Sequence, residues 1–173
     1  MSVINIPATA LVMLIGPAGS GKSTLASKQF PADAIISSDR LRGLVAGDES
    51  SQQANDDVFE RIHQLVAARA AAGLLTVIDA TNTRGVQRTE LAWHAHRCRR
   101  PLVAIVLDLP LETCLARNAA RLHPVPARVI RQQVADLSHI ASDLEIEGYL
   151  AIHSFHTTEE LEAADVVIRD GMA

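Results

Sequence analysis

Residues 16–23 read Gly-Pro-Ala-Gly-Ser-Gly-Lys-Ser, and this stretch decides the fold. The spacing fits G-x-x-x-x-G-K-[ST]. The apolar run Leu11–Ile15 before it predicts a buried parallel strand, and residues 22–28 after it predict a helix. Between a strand and a helix, glycines let backbone N–H groups curl around an anion, and the helix N-terminus adds the positive end of its dipole. The flanking elements argue against a chance match, so the stretch is interpreted as a phosphate-binding P-loop.

The P-loop predicts ligands as well as a fold. Its lysine, Lys22, is expected to reach the β- and γ-phosphates of a nucleoside triphosphate, and the Ser23 hydroxyl to ligate Mg²⁺. ATP, or another nucleoside triphosphate, and Mg²⁺ are therefore the expected cofactors. The residues predicted to line the phosphate site are Gly16, Ala18, Gly19, Ser20, Gly21, Lys22, Ser23 and Thr24.

Length and composition favour one domain with an aliphatic core. The chain has 173 residues, which suits a single domain over residues 1–173. Hydrophobic residues make up 48% of the chain but aromatic ones only 3%, so aliphatic side chains must fill the core. The formal net charge is −4, so any nucleic-acid site must be a local basic patch.

The cysteines and the apolar runs bear on the compartment. Cys98 and Cys114 form no C-x-x-C pair, which favours reduced thiols in a cytosolic protein. No basic stretch precedes the first apolar run, so a signal peptide is not expected. No run reaches the length of a membrane span. A cytoplasmic location without membrane contact is predicted.

Strands alternate with helices almost throughout the chain. This order predicts an α/β fold of the P-loop kinase type, with a parallel sheet and helices on both faces. Active sites in such folds gather at the carboxyl ends of the strands. Strands are predicted at residues 11–15, 34–38, 74–78, 102–107, 151–154 and 166–168, and helices at 22–28, 40–45, 55–72, 84–97, 111–121, 127–143 and 158–163. Residues 47–51 are predicted to be a loop with Asp48 and Glu49 exposed.

Asp39 ends the second predicted strand and lies three residues before Arg42. On a helical turn these two side chains share a face. A carboxylate that faces the P-loop can accept a proton from an acceptor hydroxyl, and a nearby arginine can hold an anionic group of that acceptor. A helix N-cap at Ser38 or Asp39 is the alternative. Beside a P-loop, the catalytic interpretation is preferred.

Asp79 follows an apolar strand, as the second carboxylate of a P-loop enzyme does. We predict that it binds Mg²⁺ through water or orients Ser23, with a turn carboxylate as the alternative. Asp108 has a similar position but precedes Leu109-Pro110 and is interpreted as structural. The seven histidines do not stand at metal-ligand spacing, so they are interpreted as structural or surface residues.

Arginines cluster around a proline-marked break in the chain. Arg117 and Arg121 are spaced i,i+4 on one helix face, and Arg128 and Arg131 follow residues 123–126. The pattern predicts a helical lid over about residues 117–131, the lid segment, in which the two arginines before the break, Arg117 and Arg121, stabilise charge on the transferring phosphoryl group. Arg117 is also expected to contact the nucleotide. A solvated basic helix face is the alternative.

Four blocks of the sequence resemble the kinase module of bacterial polynucleotide 5′-kinases, the end-healing kinases. The first is the P-loop with Thr24. The others are residues 36–43 (Ile-Ser-Ser-Asp-Arg-Leu-Arg-Gly), 77–82 (Val-Ile-Asp-Ala-Thr-Asn) and 109–121 (Leu-Pro-Leu-Glu-Thr-Cys-Leu-Ala-Arg-Asn-Ala-Ala-Arg). The resemblance runs from about residue 11 to 168. The P-loop alone indicates only a superfamily, and the two aspartate-containing blocks at these spacings are more specific.

The resemblance implies ATP- and Mg²⁺-dependent transfer of the γ-phosphate to a 5′-OH end of DNA or RNA, as in nucleic-acid repair. Asp39 then matches the general base, and Arg42 matches the arginine that grips the phosphate on the 3′ side of the acceptor nucleoside. Arg117 and Arg121 match lid arginines. In this family the module is often fused to a phosphatase or ligase module. Neither fits in 173 residues, so a phosphatase or ligase would be a separate partner enzyme.

Two other functions are weighed against this one. A P-loop kinase for a nucleoside, sugar or antibiotic uses the same scaffold. The acidic balance favours it if the carboxylates between residues 48 and 60 line the entrance. The second is a non-catalytic nucleotide-binding switch. Asp39 with Arg42 argues against a switch, which needs no base on the acceptor side.

Overall fold

The structure is a computed structural model that describes residues 2–46 and 55–170. The strands are β1 (Ser2–Pro7), β2 (Leu11–Ile15), β3 (Ile35–Ser37), β4 (Thr76–Asp79), β5 (Leu102–Leu107), β6 (Ala151–Phe155) and β7 (Ala164–Arg169). The helices are α1 (Lys22–Gln29), α2 (Ser38–Ala46), α3 (Asn55–Ala72), α4 (Gly85–Arg97), α5 (Leu111–Ala119), α6 (Ala127–Asp136), α7 (Ile140–Ile146) and α8 (Thr158–Glu162). The loop predicted at residues 47–51 lies outside the described residues.

Five strands form a central sheet in the order β3-β4-β2-β5-β6, and every neighbouring pair is parallel. The P-loop strand β2 lies in the middle, between β4 and β5. Because the strands are parallel, the P-loop, Asp79 at the end of β4 and Asp39 just after β3 all meet at one edge. This arrangement confirms the predicted α/β fold.

The two faces of the sheet bury different sets of residues, as the alternation along β2 requires. Leu11, Met13 and Ile15 face one core, which α3, α4 and α7 cover. Val12 and Leu14 face the other core, which is covered by α1 and by the small sheet of β1 and β7. The five residues of β2 are all at most 2% exposed. A strand buried on both faces explains the unbroken apolar run in the sequence.

Strand β1 was not among the predicted elements. It pairs in parallel with β7, and together they form a two-stranded sheet separate from the central one. Ile4 and Ile6 are fully buried, whereas Val3 is 52% exposed. This alternation is the signal of a half-buried strand, but it covers only a few residues and ends at Pro7.

The single helix predicted at residues 127–143 is wrong, because the chain turns there. Helix α6 ends at Asp136, a 3-10 turn spans Leu137–His139, and α7 begins at Ile140. Ile130 packs with Ala18 near the P-loop, whereas Leu137, Ile140 and Leu144 pack on the central sheet. The two halves of the segment pack into different hydrophobic cores, and the 3-10 turn between them changes the direction of the chain.

None of the helices in the described part of the chain is both long enough and apolar enough to cross a membrane.

Candidate active site

The start of the P-loop is fixed by the loop that follows β4. The Gly16 N–H donates to the Thr81 carbonyl at 2.9 Å, and the Asn82 side-chain amide donates to the Leu14 carbonyl at 2.7 Å. Asn82 is 2% exposed and has a positive φ of 49°. Asparagine is among the few residues that adopt this conformation at low cost. The block 77–82 therefore supplies both Asp79 and the support for the phosphate loop.

Two glycines let neighbouring backbone approach the P-loop closely. A Cβ on Gly19, where φ is 83°, would lie 2.2 Å from the Cys114 carbonyl oxygen of α5. A Cβ on Gly16 would lie 2.7 Å from the Leu107 carbonyl oxygen. Side chains at these positions would displace the loop. These glycines therefore let β5 and α5 pack closely against the loop that the sequence assigns to phosphate binding.

Lys22 begins α1 and is nearly buried, with 8% of its surface exposed. Its ammonium group donates to the carbonyl oxygens of Gly16 and Pro17, both at 2.8 Å, and lies 3.4 Å from the Ser20 hydroxyl. Burial lowers the pKa of Lys22 from 10.5 to about 8, and the charges of Asp79 and Asp39 offset part of that shift. Below pH 8 the loop therefore holds a cation at its centre.

Ser23 and Asp79 are brought together as the sequence predicts. Burial raises the pKa of Asp79, while side-chain hydrogen bonds from Ser23 and Ser37 and the charge of Lys22 act in the opposite direction. The Ser23 side chain is exposed, whereas Asp79 is 6% exposed. A hydroxyl beside a carboxylate is the hard oxygen donor set that Mg²⁺ prefers, so these residues fit a metal of this kind. Thr24, next on α1, is exposed.

Asp39 lies in the first turn of α2 and contacts two arginines. Its Oδ1 accepts from Arg42 Nη1 at 2.7 Å, and its Oδ2 accepts from Arg121 Nη2 at 3.0 Å. The Asp39 charge also acts on Lys22 and on Asp79. The structure thus places the predicted base, the predicted acceptor-side arginine and one predicted lid arginine in a single cluster next to the P-loop.

Arg117 lies on the other side of the site, against the P-loop itself. Its guanidinium contacts the Ser20 carbonyl oxygen at 3.5 Å and donates to the Thr158 hydroxyl of α8 at 3.1 Å. Four positions along the chain therefore separate an arginine that contacts the P-loop from one that contacts Asp39. Arg128 and Arg131 are exposed on α6.

Sequence reasoning missed two residues of this site. Thr158 has no motif that connects it to Arg117. Gln133 of α6 accepts a hydrogen bond from the Ala18 N–H at 2.9 Å, through its Oε1 atom. A glutamine on an amphipathic helix carries no signal of such a contact, because only the three-dimensional path of the chain brings α6 to the P-loop.

Comparisons with solved structures identify the fold of this site. A chain of the Pnkp1/Rnl/Hen1 RNA repair complex superimposes with a TM-score of 0.67 at 23% identity, over 80% of this chain and 46% of that one. The AvrRxo1-ORF1:-ORF2 structure with ATP gives 0.68 at 18%, over 87% and 55%. A gluconokinase from Sinorhizobium meliloti 1021 gives 0.57 at 17%, over 91% and 87%. This chain thus spans about half the length of the first two.

At these identities the likeness shows the fold, which is that of a P-loop kinase. No curated protein matches the chain. A protein-family profile described as an AAA domain matches residues 11–140. The matched part contains the P-loop, Asp39, Asp79 and both arginines of α5 and its following turn. The chain therefore belongs to this AAA-domain family of P-loop proteins.

Proposed function

We propose that this protein is a polynucleotide 5′-hydroxyl kinase, which transfers the γ-phosphate of ATP to a 5′-OH end of DNA or RNA. The observation that carries the proposal is the Asp39 carboxylate, held between Arg42 and Arg121 and within electrostatic reach of Lys22. A base beside the P-loop lysine is what a phosphoryl acceptor requires. A non-catalytic switch needs no such group.

The residues divide into a donor side and an acceptor side. Lys22 would pair with the nucleotide phosphates, and Ser23 and Asp79 would hold Mg²⁺, which neutralises phosphate charge when bound. Asp39 accepts the proton of the acceptor hydroxyl while the oxygen of that hydroxyl bonds to the γ-phosphorus. The bond from the γ-phosphorus to the bridging oxygen breaks, and ADP leaves. Arg117 serves the donor side, and closure of the lid segment would exclude water.

Arg42 supports a nucleic-acid acceptor. A 5′-OH end within a polynucleotide carries a phosphate on the 3′ side of its nucleoside, a few bonds from the reacting hydroxyl. The guanidinium of Arg42 contacts the carboxylate of Asp39, the proposed general base, and the Arg42 side chain is 20% exposed. It can therefore pair with that phosphate while Asp39 holds the hydroxyl. A separate phosphatase or ligase would then complete the repair of the end.

A small-molecule kinase is the second candidate, and one observation favours it. A groove of about 330 Å³ between α2 and α3 is lined by two carboxylates, one arginine, one amide and two leucines: Asp57, Glu60, Arg61, Gln64, Leu41 and Leu44. Carboxylates near the acceptor side repel a polyanion and accept hydrogen bonds from a polyol. The similarity to a gluconokinase also extends over nearly the whole of both chains.

The acceptor decides between these candidates. We expect a nucleoside 3′-monophosphate and 5′-OH DNA or RNA to be phosphorylated, and the bare nucleoside and gluconate to be poor acceptors. Arg42→Ala should lower kcat/KM about ten- to a hundredfold for the 3′-phosphorylated nucleoside, which is the value of one charged hydrogen bond, and much less for the bare nucleoside. Asp39→Asn should reduce turnover severely and leave ATP binding nearly unchanged.

Arg40→Ala is the matched control, since Arg40 is an exposed arginine of the same helix. It should behave like the parent. The polynucleotide assignment would be refuted if the parent enzyme used the nucleoside 3′-monophosphate and the bare nucleoside equally well and Arg42→Ala lowered kcat/KM equally for both. Phosphorylation of gluconate or another polyol in preference to both would establish the second candidate.

A further inference from the structure

Helix α6 contacts the P-loop through two side chains one turn apart. Ile130 is fully buried against Ala18, together with Leu109 and Cys114. Gln133, three residues later on the same face, accepts the Ala18 N–H at 2.9 Å. The apolar contact sets the distance between the helix and the loop, and the amide contact sets the orientation of one peptide group in the loop.

The Ala18 hydrogen bond differs from two other hydrogen bonds that backbone N–H groups of the loop donate. The Gly16 N–H donates to the Thr81 carbonyl at 2.9 Å, and the Ser20 N–H donates to the Pro17 carbonyl at 3.1 Å. Both of those acceptors are backbone atoms. The Ala18 acceptor is a side chain, and it comes from the helix whose first residues belong to the lid segment. It also engages the backbone N–H of a residue that is predicted to line the phosphate site.

The chemistry of the acceptor matters as much as its position. Glutamine offers a neutral oxygen, so it orients the peptide without adding charge to a loop that must hold a polyanion. A glutamate of the same length would accept the same hydrogen bond and would repel the phosphates. A neutral acceptor therefore meets both requirements, and this explains why an amide suits position 133.

We propose that Gln133 is a positioning residue that sets the affinity of the P-loop for the triphosphate by orienting the Ala18 peptide. This proposal rests on nucleotide binding, which is one part of the proposed function, and it is independent of the acceptor. Gln133 also transmits the position of α6 to the loop, so that the lid segment and the phosphate site share one connection.

Binding of ATP, ADP and adenosine, each with Mg²⁺ and measured by calorimetry, tests the proposal. Gln133→Glu should keep the fold and the parent Tm. It should weaken the binding of ATP at least tenfold and the binding of ADP less, and it should leave the binding of adenosine unchanged. Gln133→Ala should weaken ATP several-fold. Gln132 is the matched control because it is exposed and donates to Asp136 of its own helix at 2.8 Å. Gln132→Glu should bind ATP within twofold of the parent.

A folded Gln133→Ala protein that binds ATP within twofold of the parent would overturn the proposal, because this variant removes the acceptor of the Ala18 N–H. So would an equal loss of adenosine binding, or an equal loss of ATP binding in Gln132→Glu, since either result would point to a general effect of charge or stability. If Gln133→Ala does not fold, Gln133→Met decides in its place, because it keeps the length of the side chain and also removes the acceptor. The measurement needs no acceptor, so failure of the polynucleotide assignment would leave its result intact.

Discussion

The charged side chain of Lys22 is almost completely buried. Burial lowers the pKa of Lys22 to about 8, and the unfolded chain restores the ordinary value of 10.5. Below pH 8 the charged group is present in both states, and its burial costs stability. Between pH 8 and pH 10.5 only the unfolded chain keeps the proton, so the stability of the folded protein rises with pH. At neutral pH the buried charge of Lys22 therefore lowers the stability of the folded protein, and the P-loop contains a cation.

Lys22→Met keeps the length of the side chain and removes the titrating ammonium group. The parent should gain about 2 to 3 kcal/mol of unfolding free energy relative to the variant between pH 7 and pH 10. Denaturant unfolding at the two pH values measures this difference, in which the titrating groups that do not interact with Lys22 cancel. A difference that does not change with pH would contradict the lowered pKa.

Part of the site can be predicted from spacing and part cannot. Lys22 and Ser23 follow from the P-loop pattern, and Asp79 follows because parallel strands bring their carboxyl ends to one edge of the sheet. The contact of Arg121 with Asp39 joins residues 82 positions apart. It depends on the path of residues 120–126, which no periodicity specifies.

The end of α5 and the turn after it divide their arginines between two tasks. Arg117 contacts the P-loop backbone and α8, whereas Arg121 contacts Asp39. The spacing i,i+4 predicts a shared face, but Arg121 lies beyond the last residue of α5, Ala119. The chain can therefore direct one arginine to the donor side and the other to the acceptor side.

Substitution of the two arginines should separate their effects. Arg117→Ala should weaken nucleotide binding and slow transfer by on the order of a hundredfold. Arg121→Ala should slow transfer to a similar degree with little change in nucleotide affinity. Lysine should restore little at either position, since it lacks the planar fork of arginine. Steady-state kinetics with separate nucleotide binding measure both, and Arg128→Ala, at an exposed site on α6, is the control. Near-parent rates in both variants would favour a merely solvated basic face.

A buried ion pair joins α4 to the end of α7. Arg88 is fully buried, and its guanidinium donates to Glu147 at 2.7 Å and to the carbonyls of Asn82 and Thr83 at 3.0 and 2.9 Å. Asp143 lies 3.5 Å away. The pair thus holds the loop that carries Asn82, which in turn holds the P-loop.

Loss of the charge on Glu147 should leave Arg88 poorly compensated. Glu147→Gln should lower the free energy of unfolding by about 3 kcal/mol. Glu145→Gln, at an exposed position of α7, should change it little. Chemical denaturation of both variants checks this, and equal stability of the two would mean that Asp143 and the carbonyls suffice for Arg88.

The helices and strands were predictable where one pattern runs through one core. Strand β2 is apolar throughout because both its faces are buried. The helix predicted at residues 127–143 fails because its apolar positions serve two cores, which helical periodicity does not distinguish. Strand β1 offers too few alternating residues to be separated from an irregular segment.

On the scale of the whole molecule, the first and last strands form a sheet of their own. Ser2 is in register with Ala164, and Pro7 with Arg169. Gln29 at the end of α1 fastens this pair, because its side chain donates to the Ala164 carbonyl at 3.0 Å and accepts the Val166 N–H at 3.2 Å. One glutamine therefore connects the P-loop helix to β7.

Gln29→Ala removes both hydrogen bonds, at a cost of roughly 1 to 2 kcal/mol. We expect amide hydrogen exchange to become about tenfold faster in β1 and β7 together, and to stay unchanged in β2 and β5. Ser27→Ala, an exposed change on the same helix, should affect neither sheet. Acceleration in β7 without β1 would show that the two strands do not open as a unit.

The parallel pairing of β1 with β7 has a consequence for the order in which the protein is made. Synthesis proceeds from the N-terminus, so β1 leaves the ribosome before β2 to β7, and β7, its strand partner in the described part of the chain, is translated more than 150 residues after β1. Strands β2 to β6 can pair with one another before that moment, because their partners lie within residues 11–155. The backbone of β1 is paired only once β7 has been made, so the earliest translated of the strands in the described part of the chain is among the last to be assembled.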